Sequence, residues 1–405
     1  MTKGNLVEMI AVAMTLAATL FAAGLLCVQK TGRSDQAGFL AAFLALCALT
    51  RADTLVFLAG GYAAVPQLAG ILFPFKTLLA PAFYLYVRSM TAASPQPLRL
   101  GDAWALSGPA AIILIMSRFF FLSNEQKAGL LSLQYPDPEL RDWAFTACIL
   151  TFGVILLVSL VYLTAAFVRV RNHVARLRDL FSNIEDRALD WIRWALFILG
   201  GGCMWYIFGE IWGVQGSRPP WYPVVTACYD LVWIGLIAFF GVLQRPVLDA
   251  PKLESPIEGP ENLAEQKAKY TRSMLSDARL CAIELRLSQA MEDSKLYADP
   301  RLSLRRLSDH LRISEDHLSQ TFSRKLRLNF FEYVNRYRVA DARQRLILTG
   351  ESIVNIALDV GFNSRSTFNA AFKTHTGTSP SAFRRVSRRT DLPGTAGSDD
   401  TRTGL

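Results

Sequence analysis

SIVNIALDVGFNSRSTFNAAFKTHTGTSPSAFR, running from Ser352 to Arg384, is the stretch whose reading decides the fold. Ile353, Ile356 and Ala357 recur at helical spacing and give a short helix an inward face. Gly361 follows where the chain must turn, and glycine takes a positive φ there without steric cost. Ser364 is placed to cap a second helix, because its hydroxyl can accept from an unpaired first-turn amide. That helix buries Phe368, Ala371 and Phe372, and Gly377, Pro380 and Phe383 close the segment. Two short helices joined by a tight turn make a helix-turn-helix.

The same arrangement recurs upstream. Ser303 caps a helix with Leu304, Leu307 and Leu311 on one face, the chain breaks at Arg312-Ile313, and Ser314 caps a helix with Leu318, Phe322 and Leu326. Between the motifs a longer helix begins near Asn329. Phe330, Tyr333, Val334, Tyr337 and Ala340 form its apolar face, with Arg336, Arg338, Arg343 and Arg345 on the polar side. Such a connection can hold both second helices on one face, and successive major grooves lie about 34 Å apart, so one chain can reach two. Eliminating the inward positions leaves Asp316, Ser319 and Gln320 outward on the first reading helix and Arg365, Ser366 and Asn369 on the second. These types suit base edges: Arg pairs with guanine, Asn and Gln with adenine, Ser with either. Lys325, Arg338, Lys373 and Arg384 suit phosphates, which position without specifying. The plainer alternative for each is a solvated side chain.

Charge agrees with a polyanion partner. Arg301 to Arg389 holds 17 Lys and Arg against 7 Asp and Glu, so this segment carries the whole basic excess of the +9 chain. The six cysteines are dispersed without a CxxC pair, and none of the four histidines lies in an apolar run. Neither a disulfide framework nor a metal site is expected, and no cofactor.

Upstream the chain is apolar. Seven windows suit spans of about 20 residues: Leu6–Val28, Ala37–Gly60, Gln67–Val87, Ala103–Leu122, Phe145–Val168, Trp191–Trp212 and Pro223–Leu243. The first is too long for a removable leader and contains Glu8. Basic connections, including Arg169, Arg171, Arg176 and Arg178, favour the N-terminus outside and the C-terminal end in the cytoplasm. Trp205, Tyr206, Trp212, Trp221 and Tyr222 read as interfacial anchors rather than an aromatic ligand cage. Arg51, Asp53, Lys76, Glu210 and Asp230 are ionisable groups inside spans, hence candidates for sensing, through a ligand pocket or a switching charge network. The bland alternative is a structural ion pair, or a residue near an interface that snorkels out; Arg51 with Asp230 or with Glu210 is a possible pair. No catalytic constellation is present, so no enzyme is expected. After Leu243 the composition turns rich in Pro and Glu, a tether, and from Lys269 to Met291 Leu280, Ile283, Leu287 and Met291 mark a helix that either packs on the next domain or pairs two chains.

Ser352 to Lys373, followed by Gly377-Thr-Ser-Pro380 and Phe383-Arg384, resembles the second helix-turn-helix of AraC/XylS-type transcription regulators. Leu304 to Leu346 resembles the first motif and connecting helix of that family, with Arg312 where the family often has glycine. The upstream half resembles the family's multi-span, membrane-embedded subtype. The resemblance implies promoter binding and transcriptional control. It implies as partners double-stranded DNA, the lipid bilayer, a second copy of the chain in a homodimer, an unknown small-molecule or peptide signal, and RNA polymerase. The location expected is the inner membrane of a bacterial cell, multi-pass. The whole is expected to be all-α, a seven-helix transmembrane bundle plus a C-terminal double helix-turn-helix domain. The divisions are 1–244 sensor or anchor, 245–300 cytoplasmic linker and connecting helix, 301–389 DNA-binding domain, and 390–405 disordered tail. The alternative is a membrane transporter or enzyme with a regulatory DNA-binding tail.

Overall fold

The computed structural model describes residues 3–28, 34–92, 94–131, 137–184, 189–215, 219–243 and 276–390. Among them regular structure is helical, and the one β-type contact is an isolated bridge between Phe181 and Ser303. The chain divides into two units: Met1–His173 with Leu189–Glu254, and Val174–Ala188 with Ser255–Leu405. The residues 174–188 thus group with the C-terminal part, far along the chain from them. The Pro- and Glu-rich tether and the expected tail, 391–405, lie outside the described residues.

The first unit is a helical bundle. Its main helices are α1 (Lys3–Val28), α2 (Ser34–Leu58), α3 (Leu79–Met90), α4 (Ser107–Ile115), α5 (Pro138–Leu180), α6 (Asp190–Gln215) and α7 (Tyr222–Leu243). Leu40, Phe43 and Leu44 of α2 pack with Phe83 and Val87 of α3, Ala166 and Val170 of α5, Ile192 of α6, and Ile234 and Ile237 of α7. Meanwhile Phe21, Leu157, Leu160, Val161, Trp194 and Phe239 are exposed on outer faces. Water would penalise that much open apolar surface; hydrocarbon would not.

Six stretches among the described residues are long and apolar enough to cross a membrane: Leu6–Val28, Asp35–Leu58, Pro66–Met90, Pro138–Leu180, Asp190–Gly209 and Tyr222–Val242. The expected seventh, Ala103–Leu122, is not one helix but a 3-10 segment at Leu100–Leu106, then α4, then Ser117–Phe120. Local chemistry accounts for the break. Pro109 has no amide to donate and fits only a first helical turn, so α4 starts at Ser107. Gly108 seats that turn on Thr77, where a Cβ would lie 2.9 Å from the Thr77 Cβ. The piece begins beside Arg88, which holds Asp102 at 2.7 Å, and ends with Phe119 against Gly70.

α5 has 43 residues, about 65 Å at the usual rise, roughly twice the hydrocarbon thickness. Its last turns, from Val174, belong to the second unit.

The second unit contains α8 (Asp277–Glu292), α9 (Leu304–Leu311), α10 (Glu315–Gln320), α11 (Phe330–Leu348), α12 (Ile353–Asp359), α13 (Arg365–Thr376) and α14 (Pro380–Thr390). Side chains of Ser303, Ser314, Asn329, Ser352 and Ser364 each accept an amide of the helix they precede. Two cores form. Leu280, Ile283, Leu287 and Met291 of α8 pack with Leu307, Leu318, Phe322, Phe330 and Val334. Val339, Ala342 and Leu346 pack with Ile356, Phe362, Phe368 and Phe372. So α8 packs on the first motif, and α11 gives its first half to one core and its second half to the other. Ala340, expected inward, is exposed; Val339 and Ala342 are buried instead, because the apolar stripe of α11 changes sides between its two cores.

Gly361 has φ +99°, and a Cβ there would meet the Tyr297 carbonyl oxygen at 2.6 Å and that of Ala298 at 2.9 Å. Arg312 closes α9 with φ +53°, the turn geometry that glycine adopts more cheaply. Gly361→Ala is expected to destabilise the second unit by about 2–3 kcal/mol and Arg312→Gly to stabilise it by about 1 kcal/mol. Hydrogen exchange of the α9 to α13 amides in the full-length protein measures both.

Candidate nucleic-acid interface

Each motif offers a capped helix with its inner face anchored and its outer face polar. In the second motif Ser364 accepts from the Thr367 amide at 3.2 Å, and Phe368 and Phe372 are fully buried. This leaves Arg365 and Ser366 exposed and Asn369 half-buried, with exposed Lys373 one turn further along the same outer side. The Ser366 hydroxyl lies 2.9 Å from that of Ser364, so it also supports the cap. Arg384 is half-buried on α14. The helix N-terminus adds unpaired amides and a positive dipole end suited to phosphate.

In the first motif Asp316 and Ser319 are exposed, as the pattern predicts, but Gln320 is not: it is 2% exposed. The reason is local winding. α10 passes into a π-helical turn at Thr321–Leu326, and the wider turn carries Gln320, Thr321 and Phe322 inward together. Gln320 is therefore removed from the outward set. Lys325 is exposed, but it lies 3.8 Å from Glu284 of α8, and Cys281 and Glu284 together hold its ammonium above its ordinary pKa. Arg324 and Arg327 flank it, both exposed, and pattern reading passed over them although the basic excess of the segment pointed there.

Arg338 overturns the largest expectation. It was placed among phosphate contacts, and it is completely buried. Its Nε donates to the Tyr297 carbonyl at 2.8 Å. Nη1 donates to the Ser182 carbonyl and to Asn183 Oδ1, both at 3.1 Å, and Nη2 to Ser182 Oγ and the Asp299 carbonyl, both at 3.1 Å. Burial lowers its pKa and Asp299 raises it part of the way back. The physical reason for the inward turn is position: Arg338 falls where the α11 stripe passes from one core to the other, and the gap there is filled by polar backbone. Ser182 and Asn183 had no signal in the sequence, since nothing in local pattern ties them to residues more than 110 positions away.

The bundle charges also come together. Asp230 is buried and accepts Arg51, the Tyr206 hydroxyl at 2.7 Å and the Trp233 indole at 2.9 Å. Asp53 accepts Tyr62 and lies 3.6 Å from Lys76. The pairing of Arg51 is thus with Asp230; the Glu210 side chain lies outside the described residues. Trp205 stacks on Tyr222 at 5.1 Å between centroids, and Trp212 meets Trp221 edge-on, so these rings pack on one another.

Residues 307–386 match the family described as a helix-turn-helix domain. An uncharacterized HTH-type transcriptional regulator of Staphylococcus aureus (strain COL) is 34% identical over 99 residues, 24% of this chain and 13% of that protein. The melibiose operon regulatory protein of Escherichia coli (strain K12) is 32% identical over 98 residues, 24% of this chain and 32% of that one. The chain therefore spans less than a third of the length of these relatives. A solved protein of unknown function from Listeria innocua is 30% identical, covering 26% of this chain and 95% of its own, with a TM-score of 0.23. The C-terminal segment of this chain is a helix-turn-helix domain of the AraC type.

Proposed function

We propose that the chain is a membrane-anchored regulator of transcription. The bundle lies in a bacterial inner membrane, and the C-terminal domain binds specific duplex DNA on the cytoplasmic side. The observation that carries DNA binding is the outward row Arg365, Ser366, Asn369 and Lys373 on a capped helix, in a segment that holds the chain's basic excess. Arg365 and Asn369 read base edges; Asp316 and Ser319 contribute on the first helix; Lys373 and Arg384 hold phosphates. Arg338 takes no part in contact with DNA.

The link to the membrane runs through α5 as well as through the tether. Its end is held in the second unit at three points of that unit's frame. The Ser182 amide and hydroxyl donate to the Leu302 carbonyl, ahead of α9. Ser182 and Asn183 accept from Arg338 of α11. Asn183 Nδ2 donates to the Pro300 and Gly361 carbonyls, the latter in the turn of the second motif. A shift or rotation of α5 then acts on both motifs at once. With α4 and its flanking turns as a seventh, broken crossing, the N-terminus lies outside and the cytoplasm receives the end of α5.

Selection of duplexes from a random pool by full-length protein in lipid discs tests the DNA reading. Arg365→Ala is expected to weaken the selected site by about 1–3 kcal/mol, roughly five- to 150-fold, and to relax preference at one base pair. Gln320→Ala should leave base preference as it is. Unchanged preference in Arg365→Ala sinks the assignment.

Coupling is tested by Asn183→Ala, which removes the ties to Pro300, Gly361 and Arg338. The expected result in a promoter reporter is retained basal control with a flattened response to growth conditions that move the parent. A response equal to the parent's would count against transmission through α5.

A further inference from the structure

The bundle contains a partly open cavity of about 660 Å³, bordered by α2, α3, α5, α6 and α7. Its volume is that of a small-molecule site. Phe73, Phe152, Ile155 and Leu199 give it apolar walls, and Arg51, Lys76, Tyr206 and Asp230 stand together on one side of it.

Two cations and one carboxylate line the cavity, and the second carboxylate, Asp53, stands behind Lys76 at 3.6 Å. The acceptors are occupied: Asp230 Oδ2 takes Arg51 and Tyr206, and Oδ1 takes Trp233. Donors remain. Arg51 Nε is buried without a hydrogen-bond partner. The Lys76 ammonium has three donors, and its paired carboxylate oxygen is at 3.6 Å. The Lys76 side chain is partly open where it lines the cavity, so the site favours a guest that accepts from its ammonium. A carboxylate or phosphate offers these cationic donors charged acceptors, whose hydrogen bonds are about twice as strong as an alcohol's, and a quaternary ammonium head offers none.

We infer that this cavity binds an amphiphile with an alkyl or acyl chain and one anionic, hydrogen-bond-accepting head, a carboxylate or phosphate, seated against Arg51 and Lys76. Such a molecule reaches the site through the bilayer. The site stands on its own geometry; its role as the signal rests on the reading of the chain as a regulator.

The test uses full-length protein in phosphatidylcholine discs, with 11-bromoundecanoate, 11-bromoundecanol and the matching bromoalkyl trimethylammonium as probes. Bromine quenches tryptophan at short range, and Trp233 borders the cavity. The carboxylate is expected to quench saturably, with an apparent Kd at least tenfold below that of the alcohol, and the cation not saturably. Gly153 lines the cavity and a Cβ on it meets nothing within 4 Å, so Gly153→Leu should fill the space without disturbing the helix and abolish saturable quenching. Lys76→Met should bring the carboxylate's affinity down to the alcohol's and leave the alcohol unchanged. Competition by phosphatidylglycerol in the discs assigns the natural head to a lipid phosphate, and its absence assigns it to a free acid. Equal, unsaturable quenching by all three probes, or wild-type binding by Gly153→Leu, overturns the site. DNA selection in the same samples separates the two readings. Selection without saturable quenching refutes the site alone, and saturable quenching without selection refutes the regulator alone.

Discussion

The second unit is organised around one buried cation that has no carboxylate bonded to it. Arg338 is met by three main-chain carbonyls, one hydroxyl and two amide oxygens, and none of these carries a charge. Such an arrangement is stable only when complete. A guanidinium in a dry interior loses its hydration, and each hydrogen bond to it returns about 1.5–3 kcal/mol, so an absent acceptor is felt at once. Three of the six acceptors come from Ser182 and Asn183. The residues after α5 are thus part of the DNA-binding frame, and a frame built only from residues after the tether would leave the guanidinium short of partners.

The same knot explains why two motifs behave as one body. α11 belongs to both cores, and Arg338 sits where they meet, between Val334 and Val339. Its Nε bonds the Tyr297 carbonyl, and that carbonyl is also the atom closest to where a side chain on Gly361 would stand. Gly361 in turn accepts from Asn183. A glycine is required in the second motif because the segment ahead of the first motif lies against it. The relative placement of the reading helices is therefore fixed by main-chain contact, with little freedom left to side-chain adjustment.

Much of this was legible beforehand, and the reasons differ by element. Caps and apolar spacing are local, so Ser303, Ser314, Ser364, Leu307, Phe368 and Phe372 fell where the pattern put them. Gln320 did not, because periodicity assumes a uniform winding and the helix widens into a π turn just beyond it. Arg338 failed for a different cause: a hydropathy reading sends every arginine outward, and only a long-range set of acceptors can bring one in. The fourth apolar window misled because composition alone does not register that Pro109 and Gly108 fix a helix start. Of the two partners the sequence offered Arg51, packing of α2 near α7 brings Asp230 to it, and the Glu210 side chain lies outside the described residues.

If the chain is the regulator proposed above, magnitudes favour α5 as its route of coupling. A tenfold change in promoter affinity needs about 1.4 kcal/mol between two states of the domain. That is the scale of one charged hydrogen bond in the Arg338 set. A membrane-side event can shift the balance only by its own difference in affinity for the two states, and a single occupied cavity readily supplies an amount of this order. A continuous helix such as α5 carries a rotation along its axis with little loss. Because Ser182 and Asn183 touch the approach to the first motif, the connecting helix and the turn of the second, a small turn of α5 would, on the proposed reading, alter both motifs together instead of loosening one.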